Sequence, residues 1–421
     1  MLLLALLPCA SAQNVSGFVE LRGGLFLGVD GTPAVAVQRF RPTFEVPLSD
    51  RVELVTTVEA TLSEGRVLQN ELERTVAESD LEPLFRLAGC EWAERPPGPF
   101  HIDGPGDVFF VDRLYLDAYL PKADIRIGRQ AVQWGSAVLF NPTDPLPQVL
   151  FTEPWRPRVG QNAIRTTIPL GDHQTQLFLG TDDRIRQIRA AGRATLNAGG
   201  ADLSAVGAYR SDAGGSGIVG LDIKGTLGVG YWFEGALHID PELAEEFAVG
   251  IDYSLPVFDL LLIGAQYYRN GRGSPEPPGL FDSALASDLE PPLCDGVDLA
   301  DAFPAPSEDP FAPFALGRDY LMLTLLAQIV PEVKLTAGAV QNLGDGTGVV
   351  VPTLTVVPVG WLEVSASAQL PYRAWGDGGE LKPSVATQTL EVGLPGLPPV
   401  QTDLTGLVPD GVVYVWTRAN F

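Results

Sequence analysis

Residues that commonly do covalent chemistry are scarce in this chain. Three histidines, His101, His173 and His238, and three cysteines, Cys9, Cys90 and Cys294, are scattered over 421 residues. None stands at metal-ligand spacing, and no G-x-S-x-G, H-E-x-x-H or phosphate-loop pattern occurs. Acyl-transfer chemistry needs a serine and a histidine side by side, and the one pairing worth naming is His238 with a serine near Ser211. No motif supports it. The expectation is a chain that is not an enzyme and carries no cofactor and no resident metal.

The side chains that do point to chemistry are arginines and carboxylates at every second position. In DRLYLDAYLPKADIRIGRQ, Asp112 to Gln130, residues Leu114, Leu116, Ala118 and Leu120 share one face, and Arg113, Tyr115, Asp117 and Tyr119 share the other. The same alternation sets Glu20 with Arg22, Arg39 with Arg41 and Glu45, Glu53 with Glu59, and places Arg126 and Arg165 on the polar side. Fixed charges of both signs around a wet passage make a transverse field, which prefers polar solutes and sorts ions. Arg129 breaks the pattern. With Ile125 and Ile127 toward lipid, strict alternation sends Arg129 outward too, at about 2–4 kcal/mol near the bilayer midplane. A β-bulge at Gly128 is expected to turn it inward.

Elements of one kind position these residues. Period-two segments bounded by turn residues run over 16–27, 34–46, 51–62, 109–120, 124–136, 161–170, 174–181, 187–197 and 201–210. They continue over 216–225, 228–239, 245–254, 258–269, 318–330, 332–343, 347–357, 360–371 and 411–421. The connections sort by parity: every long one, 63–108, 137–160, 270–317 and 372–410, is odd, and the even ones are short turns. A soluble sandwich has no reason to sort its loops this way. Nothing approaches the roughly 20 consecutive apolar residues of a membrane helix, yet mean hydropathy is +0.13 despite 52 acidic residues. The fold expected is an all-β transmembrane up-and-down barrel of about eighteen strands, sixteen being the other count considered. RVLQNELERTV, Arg66 to Val76, is the only stretch with a helical face, and it reads either as a solvated surface turn or as a piece of the first long loop folded into the lumen to narrow it.

Composition narrows the partners. A net charge of −24 argues against nucleic acid and anionic lipid surfaces. Residues 63–108 hold ten acidic groups against four arginines, and 270–317 hold nine against Arg272. Such a mouth draws cations, or binds divalent cations that bridge it to lipopolysaccharide. MLLLALLPCASA reads as a signal peptide over 1–12, leaving 13–421 as the barrel. Export through an oxidising compartment makes a Cys90–Cys294 disulfide between two long loops the expected pairing. The last strand ends on Phe421, the aromatic terminus that periplasmic chaperones and the barrel assembly machinery recognise.

The stretch from Asp112 to Asp144 resembles a widespread set of bacterial outer-membrane barrel proteins that share R-x-Y, I-G-R-Q, W-G and N-P-x-D. That set is distantly similar to alginate-export and substrate-selective porins. The resemblance implies a transport barrel and carries over Arg113, Arg129, Gln130, Trp134, Asn141 and Asp144. It sets Trp134 and Gly135 near the outer rim and starts the loop above at Asn141. The function it implies is passive diffusion of small polar or charged solutes across the outer membrane of a Gram-negative-type bacterium. The alternative is a structural or adhesive barrel with a closed lumen and acidic, cation-binding loops.

Overall fold

A strand with one apolar and one polar face, repeated many times, satisfies both faces and leaves no bare edge when the sheet closes on itself. The computed structural model does this with eighteen antiparallel strands. It describes residues 14–28, 34–65, 101–104, 107–144, 158–181, 188–211, 216–239, 243–275, 317–376, 379–382, 389–392, 400–403 and 410–421. The first six strands are β1 (Asn14–Leu27), β2 (Ala34–Ser49), β3 (Val52–Gly65), β4 (Asp107–Leu120), β5 (Ala123–Gln130) and β6 (Gln161–Leu170). Next come β7 (His173–Thr181), β8 (Ile188–Ala198), β9 (Ala201–Arg210), β10 (Ser216–Thr226), β11 (Gly230–Ile239) and β12 (Leu243–Leu255). The last six are β13 (Leu260–Asn270), β14 (Asp319–Val330), β15 (Val333–Asn342), β16 (Thr347–Val359), β17 (Leu362–Arg373) and β18 (Gly411–Asn420). Three further short strands, His101–Gly104, Thr389–Val392 and Val400–Asp403, belong to the long connections.

Each strand pairs with the next, and β18 pairs with β1 from Asn420↔Phe18 to Gly411↔Leu27. One residue past that ladder, Gly17 and Phe421 exchange both backbone hydrogen bonds at 3.0 Å. The Phe421 ring stacks on Phe40, centroids 6.2 Å apart. Even-numbered connections are two to four residues long and lie on one rim, and the four long ones leave their strands at the other end. Leu21, Leu114, Leu116, Ile127, Leu179, Leu221, Ile251, Leu323 and Val415 form the exposed outer rows. Among the described residues no helix is long and apolar enough to cross a membrane; strands of this kind cross instead.

Two expectations need correction. Arg129 is buried, as the cost of placing it in lipid demands, but no bulge lies at Gly128: β5 pairs with both neighbours straight through it. Gly128 instead takes φ +126°, where a Cβ would stand 2.2 Å from the Leu114 carbonyl oxygen. The register shift is one strand over, where Thr57 and Val58 face Arg113 and Val111, so Asp112 is the extra residue. Both Asp112 and Arg113 can then face the lumen. The fifth strand, expected over 124–136, ends at Gln130 because the chain leaves the wall there. The signal segment, the Arg66–Val76 helix and the two loop cysteines lie outside the described residues.

Candidate functional site

Midway along β18 and β1 to β4, period-two arginines and carboxylates interlock. Glu20 accepts from Arg22 at 2.7 Å and from Arg418 at 2.6 Å, with Arg39 at 3.8 Å. Arg39 and Arg41 share Glu59 at 3.1 and 3.2 Å. Arg41 also pairs with Asp112, which takes Arg113 at 2.5 Å. Five guanidinium groups thus meet three carboxylates, and the row keeps an excess of positive charge. One step toward the short-turn rim, Arg126 holds Asp117 through two bonds of 2.6 and 2.7 Å and lies 4.0 Å over the Tyr115 ring. Arg165 is its cross-strand neighbour. The site residues expected from alternation, Arg22, Arg39, Arg41, Arg113, Tyr115, Asp117, Arg126 and Arg165, therefore come together on one arc of the wall.

The opposite arc is covered by the chain itself. After Gln130, whose side-chain amide donates to the Ala163 carbonyl at 3.0 Å, residues 131–144 run inside the barrel as a ledge. Val132 and Trp134 pack on Ala163, Phe178 and Val206, and the Trp134 indole donates to Gln176 at 2.9 Å. The N–H groups of Ser136 and Ala137 donate to Glu234 Oε1, and Val138 N–H to Gln266 at 2.8 Å. Thr143 donates to Glu234 Oε2 through its N–H at 3.3 Å and its hydroxyl at 3.0 Å. Phe140 sits against Tyr268 and Tyr320, centroids 4.5 and 5.6 Å away. Asn141 to Asp144 make a turn closed by Asp144 N–H on the Asn141 carbonyl, and Asp144 pairs with Arg158 at 2.5 Å. Arg113 donates to the Arg158 carbonyl, so the return limb is tied to the arginine row.

Gly135 shows why this path needs its own residue. Its φ is +89°, and a Cβ would lie 2.7 Å from Glu234 Oε1, so only glycine passes over the carboxylate. These contacts correct the rim placement of Trp134 and Gly135 and the start of the upper loop at Asn141. Trp134 meets Gln176, and Gly135 and Thr143 meet Glu234, all within strands and away from the rim. On the later strands Ala137 and Phe140 pack in one buried cluster with Trp232, Ala248, Tyr268 and Met322.

A second inward fold caps the long-loop end of β14 to β16. Glu380 accepts from the Tyr320 hydroxyl, from Asn342 at 2.8 Å and from Gly317 N–H at 3.3 Å. His238 bonds Glu246 at 2.5 Å and receives Arg272 at 3.1 Å, while the Ser211 hydroxyl accepts Ile188 N–H at 2.9 Å. The two are engaged separately, and among the described residues Ser211 and His238 form no pair. Sequence reasoning missed Asp112, Gln176, Glu234, Gln266, Glu380 and Arg418. Glu234 had one available signal: in YWFEGALH its inward neighbours two residues away, Trp232 and Ala236, are apolar. A lone carboxylate in such a row needs donors from elsewhere.

The architecture is similar to that of OccK11 (OpdR) from Pseudomonas aeruginosa, at TM-score 0.54 and 10% identity over 98% of this chain and 97% of that one. OccAB3 of Acinetobacter baumannii superposes at 0.51 and 10% identity over 97% and 99%. Wzi of Escherichia coli, an outer membrane protein involved in group 1 capsule assembly and a carbohydrate-binding β-barrel, does so at 0.51 and 11% over 98% and 86%. No protein-family model and no curated protein matches the chain. At these identities the likeness is one of fold, and the chain has the closed eighteen-strand fold of the outer-membrane porins.

Proposed function

We propose that this chain is a passive outer-membrane channel for small polar or charged solutes. One observation carries the reading: a single belt, halfway along the strands, sets an arginine row opposite a ledge made of the chain's own backbone. Apolar outer rows suit the barrel to lipid, and a constricted polar belt suits the lumen to hydrated solutes. The sequence resemblance to substrate-selective porins points the same way. Solutes would pass between the ledge and the guanidinium groups, where fixed charge sorts them. The acidic tracts 63–108 and 270–317 would attract cations, an effect that fades as salt shortens the Debye length.

A closed structural or adhesive barrel is the second reading, favoured by the burial of Glu20, Asp112 and Asp144, each 2% exposed or less. Single-channel conductance of the refolded protein in planar bilayers under a salt gradient separates the two. The channel reading expects stable conductance, with the reversal potential of Arg113→Ala and of Arg126→Ala displaced toward cation preference. A folded, heat-modifiable barrel that never conducts favours the closed reading.

A further inference from the structure

We infer that Glu234 is the positioning residue of the constriction: it holds the ledge at its height and turns an edge of carbonyl oxygens toward the passage. This deepens the channel reading and rests on it. Glu234 is fully buried and collects Ser136 N–H, Ala137 N–H, Thr143 N–H and the Thr143 hydroxyl. Gln266 takes the next amide, Val138 N–H, at 2.8 Å. Three successive N–H groups therefore face the wall. In a planar trans peptide the C=O lies opposite the N–H. The carbonyls of Gly135, Ser136 and Ala137 consequently point away from Glu234 and Gln266, toward the barrel axis.

An extended strand alternates its N–H directions and would offer no such edge. Convergence on an anion imposes one, as backbone nests do. The passage is then lined by guanidinium donors on one arc and by backbone acceptors on the other. A carboxylate is required for this: it supplies two acceptor oxygens and no donor. In Glu234→Gln the side chain keeps its volume, but its amide nitrogen opposes an N–H on one side.

Wild type, Glu234→Gln and Glu234→Ala, each checked for heat-modifiable folding, would be compared by amide hydrogen exchange and by conductance. Exchange in peptides spanning 131–144 should quicken about ten- to a hundredfold in Glu234→Ala, as loss of hydrogen bonds to a charged group implies, and less in Glu234→Gln. Conductance should rise, and the reversal potential should move toward anion preference as the acceptor edge disperses. Unchanged protection in both folded variants overturns the positioning role. A released ledge with unchanged ion preference overturns the acceptor edge. A silent wild type whose ledge is nonetheless released by Glu234→Ala overturns the channel reading and supports the anchor.

Discussion

Glu20 is the hub of the arginine row, touching Arg22 and Arg418 directly and facing Arg39. Removing one partner of a buried ionic network leaves the remaining charges uncompensated, at about 3–5 kcal/mol. Glu20→Ala should therefore lower stability by about that amount, read as urea unfolding in lipid vesicles followed by tryptophan fluorescence. Arg418→Ala should cost less, because its side chain is 19% exposed and water can replace part of what is lost. Arg22, Arg39, Arg41 and Arg113 were legible because period two alone decides which face a residue takes. Which of them would pair across strands was not. Glu20 and Arg418 stand 398 positions apart, and only closure of the barrel makes them neighbours.

Strands were more legible than loops, for a physical reason. A strand's outward row is dictated by lipid and its inward row by water, so each segment announces itself without reference to the others. The ledge has no such local signature. Val132 and Trp134 continue the alternation of β5, and the segment reads as strand until its contacts on β6 to β14 are known. Backbone geometry at Gly128 precedes the buried Arg129, and Gly128→Ala tests it. A side chain at φ +126° and against the Leu114 carbonyl should cost about 1–3 kcal/mol or more, measured by the same unfolding assay. Labelling with an arginine-specific reagent should then show whether Arg129 loses its protection. Phe140→Ala acts at the ledge's far end. It removes the ring from Tyr268 and Tyr320 and should increase open-channel noise with little change in the unfolding midpoint, since the wall strands keep their ladders.

At the scale of the whole molecule, the barrel is held by the ring of ladders, and the ring has a seam. The Gly17–Phe421 backbone pair and the Arg418–Glu20 ion pair both span it, one at the rim and one at the belt. Because β18 lies beside β1, the order of strands is circular, and which strand comes first is a convention of the chain. A permuted chain that joins Phe421 to Asn14 by a short linker and opens at the Gly199–Gly200 turn should refold in detergent to the same heat-modifiable barrel with the same conductance. If a terminal Phe421 is the assembly signal expected from the sequence, the same permutant should accumulate unassembled in cells. Comparing the two yields would separate what the final aromatic does as a zip code from what it does as a brick.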